Sequence, residues 1–427
     1  MRSAGGWCAG TRVAATVVRT RPTPGEDPMT STIDGPPESR SPGISRRSAL
    51  RGLALGGATV AVAGTGLLSY RVYDSAVLDP GGGPAHEPWR EWRDIPGPRG
   101  AVAAAVLAAS PHNTQPWDFV VTGDGIDLYA DPARGTGSVD PFDRERYVGL
   151  GCALENLVLG CGPRGLRPTP TLLPDGPGGL RVAHVGLAPA APSTDPLHDV
   201  IDRRHTNRGP YRPVPVPPAA LAALAGPGET GGNLQWIADP GPRAELGRLL
   251  VDAAEALCAD EQQSLDNFAW FRAGNDDEQR HRDGLVLDGQ GLGPLELGIA
   301  KLLPPYSRTA GDRFWIDRTR DVHTATAAAY GVITTATPDD RRAQLEAGRL
   351  LQRIHLRATA AGIALQHMNQ VTERIDREAS TGARATFAPR FAALLPPGAH
   401  PLLTFRVGYP VREARPTPRR SVAMVTR

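Results

Sequence analysis

Two stretches of the chain repeat each other, and that repeat limits the fold more than any other feature. Gly151-x-x-Leu154-Glu155-x-Leu157-x-Leu159, closed by Gly165-Leu166, matches Gly348-x-x-Leu351-Gln352-x-Ile354-x-Leu356, closed by Gly362-Ile363. Every matched pair keeps one separation, 348 less 151, or 197 positions. The apolar positions share one helical face, and each closing Gly suits a left-handed helix end. A period this long is far above that of a solenoid, so it predicts two fused copies of one unit. A second echo agrees: Gly232-Asn233-Leu234-Gln235-Trp236-Ile237 keeps the Asn, Gln and Trp of Asn113, Gln115 and Trp117 but loses the prolines. Strand candidates are Phe119-Val120-Val121 and Val182–Leu187 in the first copy, Tyr330–Ala336 and Pro401–Tyr409 in the second. Val182–Leu187 and Pro401–Tyr409 read as counterparts. Helix and strand signals in both halves give an α+β fold, and 427 residues allow two full cores.

The chain divides as follows. Residues 1–44, rich in Pro, Ser, Gly and Arg, read as disordered, with Met29 an alternative start to Met1. Residues 45–70 carry Ser45-Arg46-Arg47 and then a charge-free run, Leu53–Tyr70. Paired arginines before an apolar run resemble a twin-arginine export signal. At roughly 18 residues the run also meets the lower limit of a membrane anchor. The expected location is outside the cytoplasm, exported or anchored facing out, and cytoplasmic if the signal does not function. A Gly/Ala-rich loop or buried helix would use the same residues. Residues 71–94 form a linker. Half 1 spans 95–200 and half 2 spans 201–427, with an insertion at 259–320.

Composition excludes several function classes. The net charge of +2 argues against nucleic acid. Of 47 basic residues only Lys301 is a lysine, so arginine abundance alone says nothing about phosphate. The four cysteines lack metal spacing, and no nucleophile elbow is present.

Two polar clusters stand out. Ser110-Pro111-His112-Asn113-Thr114-Gln115-Pro116-Trp117 joins the small-residue helix Ala101–Ala109 to a strand, where a rigid scaffold presents side chains. Asn113 and Gln115 each offer donors and an acceptor, which suits a heterocycle edge; a capped turn over a buried Trp would use the same residues. Arg204-His205-Thr206-Asn207-Arg208 precedes Pro213–Pro218 and the helix Ala219–Leu224. Arginines and a hydroxyl before a helix suit a phosphate, while a solvated basic loop is the plainer reading.

Together these motifs resemble the nitroreductase family, and most closely its single-chain, duplicated Acg-like subgroup. The resemblance covers about residues 95–425. It implies a nitroreductase-like fold in two tandem copies, an intramolecular pseudo-dimer that is monomeric overall. It implies FMN as cofactor, with one surviving flavin site. Carried over position by position, Ser110, Pro111, Asn113 and Gln115 would meet the flavin ring from copy one. Arg204, His205, Thr206 and Arg208 would hold the phosphate and pyrimidine side, with Arg208 near flavin N1. His367 and Met368 would pass the N5 side, and Arg419 and Arg420 would complete the phosphate site. The second site is expected to be dead, because Pro96-Gly97-Pro98-Arg99 and the Asn233 segment depart from the family pattern.

The implied activity is two-electron transfer through flavin to a nitroaromatic, quinone or similar small acceptor, from NAD(P)H or a quinol. No protein acid or base is expected to be obligatory, and no metal is expected. The alternative is a non-catalytic flavin-sequestering protein, its flavin covered by the insertion acting as a lid.

Overall fold

The computed structural model describes residues 81–226 and 234–427. The twin-arginine segment, both candidate starts, the Leu53–Tyr70 run and Asn233 lie outside the described residues. Among the described residues no helix is long and apolar enough to cross a membrane.

The elements of the first half are α1 (Glu87–Glu91), α2 (Gly97–Ala105), β1 (Trp117–Val121), β2 (Gly125–Ala130), α3 (Arg144–Cys161), β3 (Leu166–Leu172) and β4 (Arg181–Pro189). The second half carries α4 (Pro218–Ala225), β5 (Leu234–Ile237), α5 (Pro240–Ala259), α6 (Glu261–Phe268), α7 (Asn275–His281), α8 (Pro294–Leu302) and α9 (Arg308–Arg318). It continues with β6 (Ala329–Thr335), α10 (Arg341–Ala360), β7 (Ala364–His367), α11 (Gln370–Thr381), α12 (Phe387–Ala392), β8 (His400–Gly408) and α13 (Val422–Val425).

The strands form two four-stranded antiparallel sheets, ordered β1-β2-β4-β3 and β5-β6-β8-β7. The second order is the first with each strand replaced by its counterpart, as a tandem duplication requires. The fold is therefore mixed helix and sheet in two copies, and β4 and β8 occupy equivalent places. One long helix follows the second strand of each sheet, α3 in copy one and α10 in copy two. Both meet a left-handed glycine beyond their last turn, Gly165 at φ +68° and Gly362 at φ +67°. A glycine adopts that conformation without the steric cost a Cβ would bring.

The two long helices cross where they have no side chains. A Cβ on Gly151 would stand 2.1 Å from the Leu345 carbonyl oxygen, and one on Gly348 would stand 2.0 Å from that of Val148. Glycine at both positions lets the backbones touch. Beside the crossing, Gln352 Nε2 donates to Asn156 Oδ1 at 2.8 Å. Its mirror contact is the ion pair of the buried Glu155 with Arg353, reinforced by Arg349 Nε at 2.8 Å. Position 156 meets 352 and position 155 meets 353, the reciprocal pattern of a two-fold interface. Cys152 and Cys161 are buried core residues here.

The copies differ in two connections: residues 173–180 join β3 to β4, whereas residues 368–399, with α11 and α12, join β7 to β8, and the other difference is larger. Residues 122–124 turn β1 into β2, whereas residues 238–328 separate β5 from β6. Sequence places the insertion at 259–320; the connection is wider because α5 follows β5 directly and packs Leu246, Leu249 and Leu250 against Phe387 and Phe391.

Candidate functional site

The Ser110–Trp117 loop is strained and heavily tied. His112, Asn113 and Gln115 have φ of 47°, 56° and 52°. Such backbone is uncommon outside glycine and persists only where surrounding contacts enforce it. Ser110 Oγ accepts from Gln115 N at 3.0 Å. Asn113 Nδ2 donates to Gly284 O at 3.2 Å and Pro418 O at 3.0 Å, and its Oδ1 accepts from Arg419 at 2.6 Å. Gln115 Nε2 donates to Arg282 O at 2.8 Å, and its Oε1 accepts from Arg420 N at 2.8 Å. The two amides thus clamp the insertion and the C-terminal tail onto copy one.

The loop forms one wall of a cavity of about 230 Å³. Of the residues singled out from sequence, Ser110, Pro111, Asn113, Arg204, His205, Thr206, Arg208, His367, Met368 and Arg419 line it. Gln115 and Arg420 do not. Gln115 is engaged as described, and Arg420 turns away to the carbonyls of Gln115, Trp117 and Met424 and to Asp118. They stand behind the cavity wall and fasten it.

Three of the lining residues are arginines without a carboxylate partner among the described residues. Arg204 is 2% exposed and Arg419 3%. Arg204 donates to Leu107 O at 3.1 Å, and Arg208 donates to Gly289 O at 3.1 Å. The Nε atoms of Arg204 and Arg419 are buried and find no acceptor. Burial pulls Arg204 and Arg208 down to about 10, and burial followed by the charge of Arg204 holds Arg419 well below its usual range. An uncompensated buried cation is costly, so this cluster has the chemistry of an anion site.

The histidines around it are neutral at pH 7. Burial, then the charges of Arg204 and Arg419, drive His205 down to about 3. Burial, then the charges of Arg204 and Arg208, drives His367 to about 3, and its Nε2 is buried without a partner.

Sequence reasoning missed several lining or supporting groups. Trp89, in the stretch read as linker, donates its Nε1–H to Thr417 O at 2.7 Å. Its ring meets His205 at 4.5 Å and lies under the Arg419 guanidinium at 4.7 Å. Glu145 and Glu373 also line the cavity. They begin two helices far apart in sequence, so no local spacing betrays them. The insertion contributes an aromatic roof: Phe268 stacks with Phe271 at 6.2 Å and Tyr306 with Phe314 at 5.6 Å, with Trp315 beside them. The insertion was expected as a lid, but no local spacing shows which of its rings face the cavity, Tyr306 among them.

No protein-family model matches the chain. A Mycobacterium tuberculosis protein named "Putative NAD(P)H nitroreductase Rv3131" is 29% identical over 339 residues, 77% of this chain and 90% of its own. A second protein of that organism, "Putative NAD(P)H nitroreductase acg", is 26% identical over 285 residues, 64% of this chain and 80% of its own. Among solved structures, the FMN-dependent nitroreductase NfnB from Mycobacterium smegmatis in complex with NADPH aligns with a TM-score of 0.31 at 15% identity, over 54% of this chain and 97% of that one. Over three quarters of its length, the chain is thus a homologue of proteins named as NAD(P)H nitroreductases, Acg being among its relatives.

Proposed function

We propose that the cavity holds FMN and that the protein is an oxidoreductase of nitroreductase type, taking electrons from NAD(P)H and passing them to a small acceptor. One observation carries this: the carboxylate-free cluster of Arg204, Arg208 and Arg419. A phosphate fits it, because its oxygens would satisfy the orphaned Nε atoms of Arg204 and Arg419 and offset their charge. Arg204 and Arg419 would hold the phosphate, and Arg208 would stand near the pyrimidine side of the ring. Bound FMN supplies reversible two-electron chemistry. The chain's own part is to anchor and orient it, to provide fixed positive charge, and to exclude water beneath the aromatic roof. Neutral His205 and His367 add no competing charge.

The reciprocal contacts of Gly151 with Gly348, and of positions 155 and 156 with 353 and 352, support a single-chain pseudo-dimer in which one cavity draws on both copies. Residues 45–70 would direct the protein out of the cytoplasm; cell fractionation with and without Arg46 and Arg47 tests that part separately.

A second reading has its own support. The insertion roofs the cavity with five aromatic residues, Phe268, Phe271, Tyr306, Phe314 and Trp315, which favours a protein that stores flavin without turnover. Anaerobic addition of NADPH separates the two: bleaching of the flavin bands supports the oxidoreductase, and bands that bleach only with dithionite support storage.

A further inference from the structure

The far wall of the cavity holds a feature the flavin reading does not use. Glu145 lies in the first turn of α3 and Glu373 in the first turn of α11. Both are buried, both line the cavity, and their side chains lie within hydrogen-bond reach of each other. Two carboxylates cannot hydrogen-bond unless one carries a proton. Glu145 Oε1 is buried and has no donor among the ordinary N–H and O–H groups around it.

The surroundings argue the same way by charge. The groups facing the pair are Asp140 beside the start of α3, Arg144 on α3, and Asn369 and Asp376 at the start of α11 and along it. Arg144 is the single cation among four carboxyls. It is already committed to Asp376 at 2.7 Å and to the Leu402 carbonyl. Asp140 is held by the backbone N–H groups of Glu145 and Arg146. Full ionisation would set four carboxylates against one arginine, with Asn369 and backbone N–H groups as the other support, and like charges held this close disfavour that state. A proton kept on the cluster would relieve that repulsion, and the contact between Glu145 and Glu373 is a place that can hold it.

We propose that Glu145 and Glu373 share one proton at neutral pH and deliver it to the acceptor reduced in this cavity. The step rests on the flavin reading above. An acceptor that takes a hydride from reduced flavin gains two electrons and one proton, and needs one proton more. For a quinone, the O–H bond of the carboxyl pair breaks and a new O–H bond forms on the quinone oxygen, giving the hydroquinone. For a nitro group, the same proton goes to a nitro oxygen, and that oxygen leaves as water together with the hydrogen gained as hydride, giving the nitroso product. The pair is left with one more negative charge and recovers its proton from solvent. Burial and Asp140 raise Glu145 to about 7, and burial and Glu145 raise Glu373 well above the carboxyl range, so the donor is protonated near neutrality. A general acid matched to the working pH is the efficient kind.

The test uses the full chain with two readouts. Infrared titration of the flavin-free protein should show a protonated-carboxyl stretch at neutral pH that fades as pH is raised and is displaced in E145Q and in E373Q. Its absence at neutral pH in the unmodified protein overturns the shared proton, whatever the flavin content and whether or not the variants fold. In the second readout, FMN-loaded protein is reduced and then mixed with a quinone. The unmodified protein should reoxidise more slowly as pH rises through neutrality. E145Q and E373Q should keep their FMN, react about 100-fold more slowly at neutral pH and lose that pH dependence. Variants that reoxidise at the unmodified rate with the unmodified pH profile overturn the delivery step. A protein that binds no FMN overturns the flavin reading and delivery with it, while the infrared band still decides the shared proton.

Discussion

A Cβ built on Gly151 would stand 2.9 Å from the Cα of Gly348, and one built on Gly348 would stand 2.9 Å from the Cα of Gly151. These are equivalent residues of the two copies, so the duplicated helices meet at the same point of each. The nearest obstacles are backbone carbonyls, which cannot rotate out of the way. Gly151→Ala or Gly348→Ala should therefore lower stability by the upper end of the ~1–3 kcal/mol typical of overpacking. Denaturant unfolding measures this. A midpoint unchanged in both variants would mean the helices do not pack as described.

The arginine cluster predicts effects of opposite sign with and without ligand. Arg204→Met and Arg419→Met should each weaken FMN retention, since a charge-assisted hydrogen bond is worth about 1.5–3 kcal/mol. In the flavin-free protein the same changes should be neutral or stabilising, because an unpaired buried cation is removed. Equilibrium dialysis and thermal melts read the two effects. Unchanged FMN retention in both variants would sink the assignment of the phosphate end.

Legibility in the sequence followed the range of the interaction. The Gly/Leu spacing of α3 and α10 recurs within one helix, so the repeat exposed both helices, their glycine ends and the duplication. Strands β4 and β8 were legible from apolar runs. Arg204, Arg208 and Arg419 were singled out by resemblance, although their lack of carboxylate partners was not legible. Trp89 read as linker because only its contacts with Thr417, His205 and Arg419, all distant in sequence, reveal its place. Glu145 and Glu373 were missed for the same reason. Gln115 belongs to a legible motif, yet its amide faces Arg282 and Arg420 rather than the cavity, which only the three-dimensional course of the tail decides.

The Glu145 carboxyl gives a pH dependence of stability. Its folded pKa of about 7 lies above the ordinary 4.5, so the folded state binds more protons than the unfolded state between those values. The stability this contributes is present below 4.5 and is lost as pH rises toward 7. Glu145→Gln should flatten the stability profile across that window. Urea midpoints of the flavin-free protein at several pH values check it, and an identical slope in the variant would contradict it.

Asn113 ties copy one to both Gly284 and Pro418. Asn113→Ala removes three side-chain hydrogen bonds, including the one from Arg419, each worth about 0.5–1.5 kcal/mol. Hydrogen exchange should accelerate at residues 282–286 and 417–420 and remain unchanged in β6 and β8. Uniform protection would show that other contacts hold the insertion and tail.

The most direct test of the central claim is the visible spectrum of the purified protein, before and after anaerobic NADPH. The arrangement of Arg204, Arg208 and Arg419 around one cavity predicts flavin bands, and the oxidoreductase reading predicts that they bleach. A protein that stays colourless even after refolding with FMN would contradict the flavin site itself.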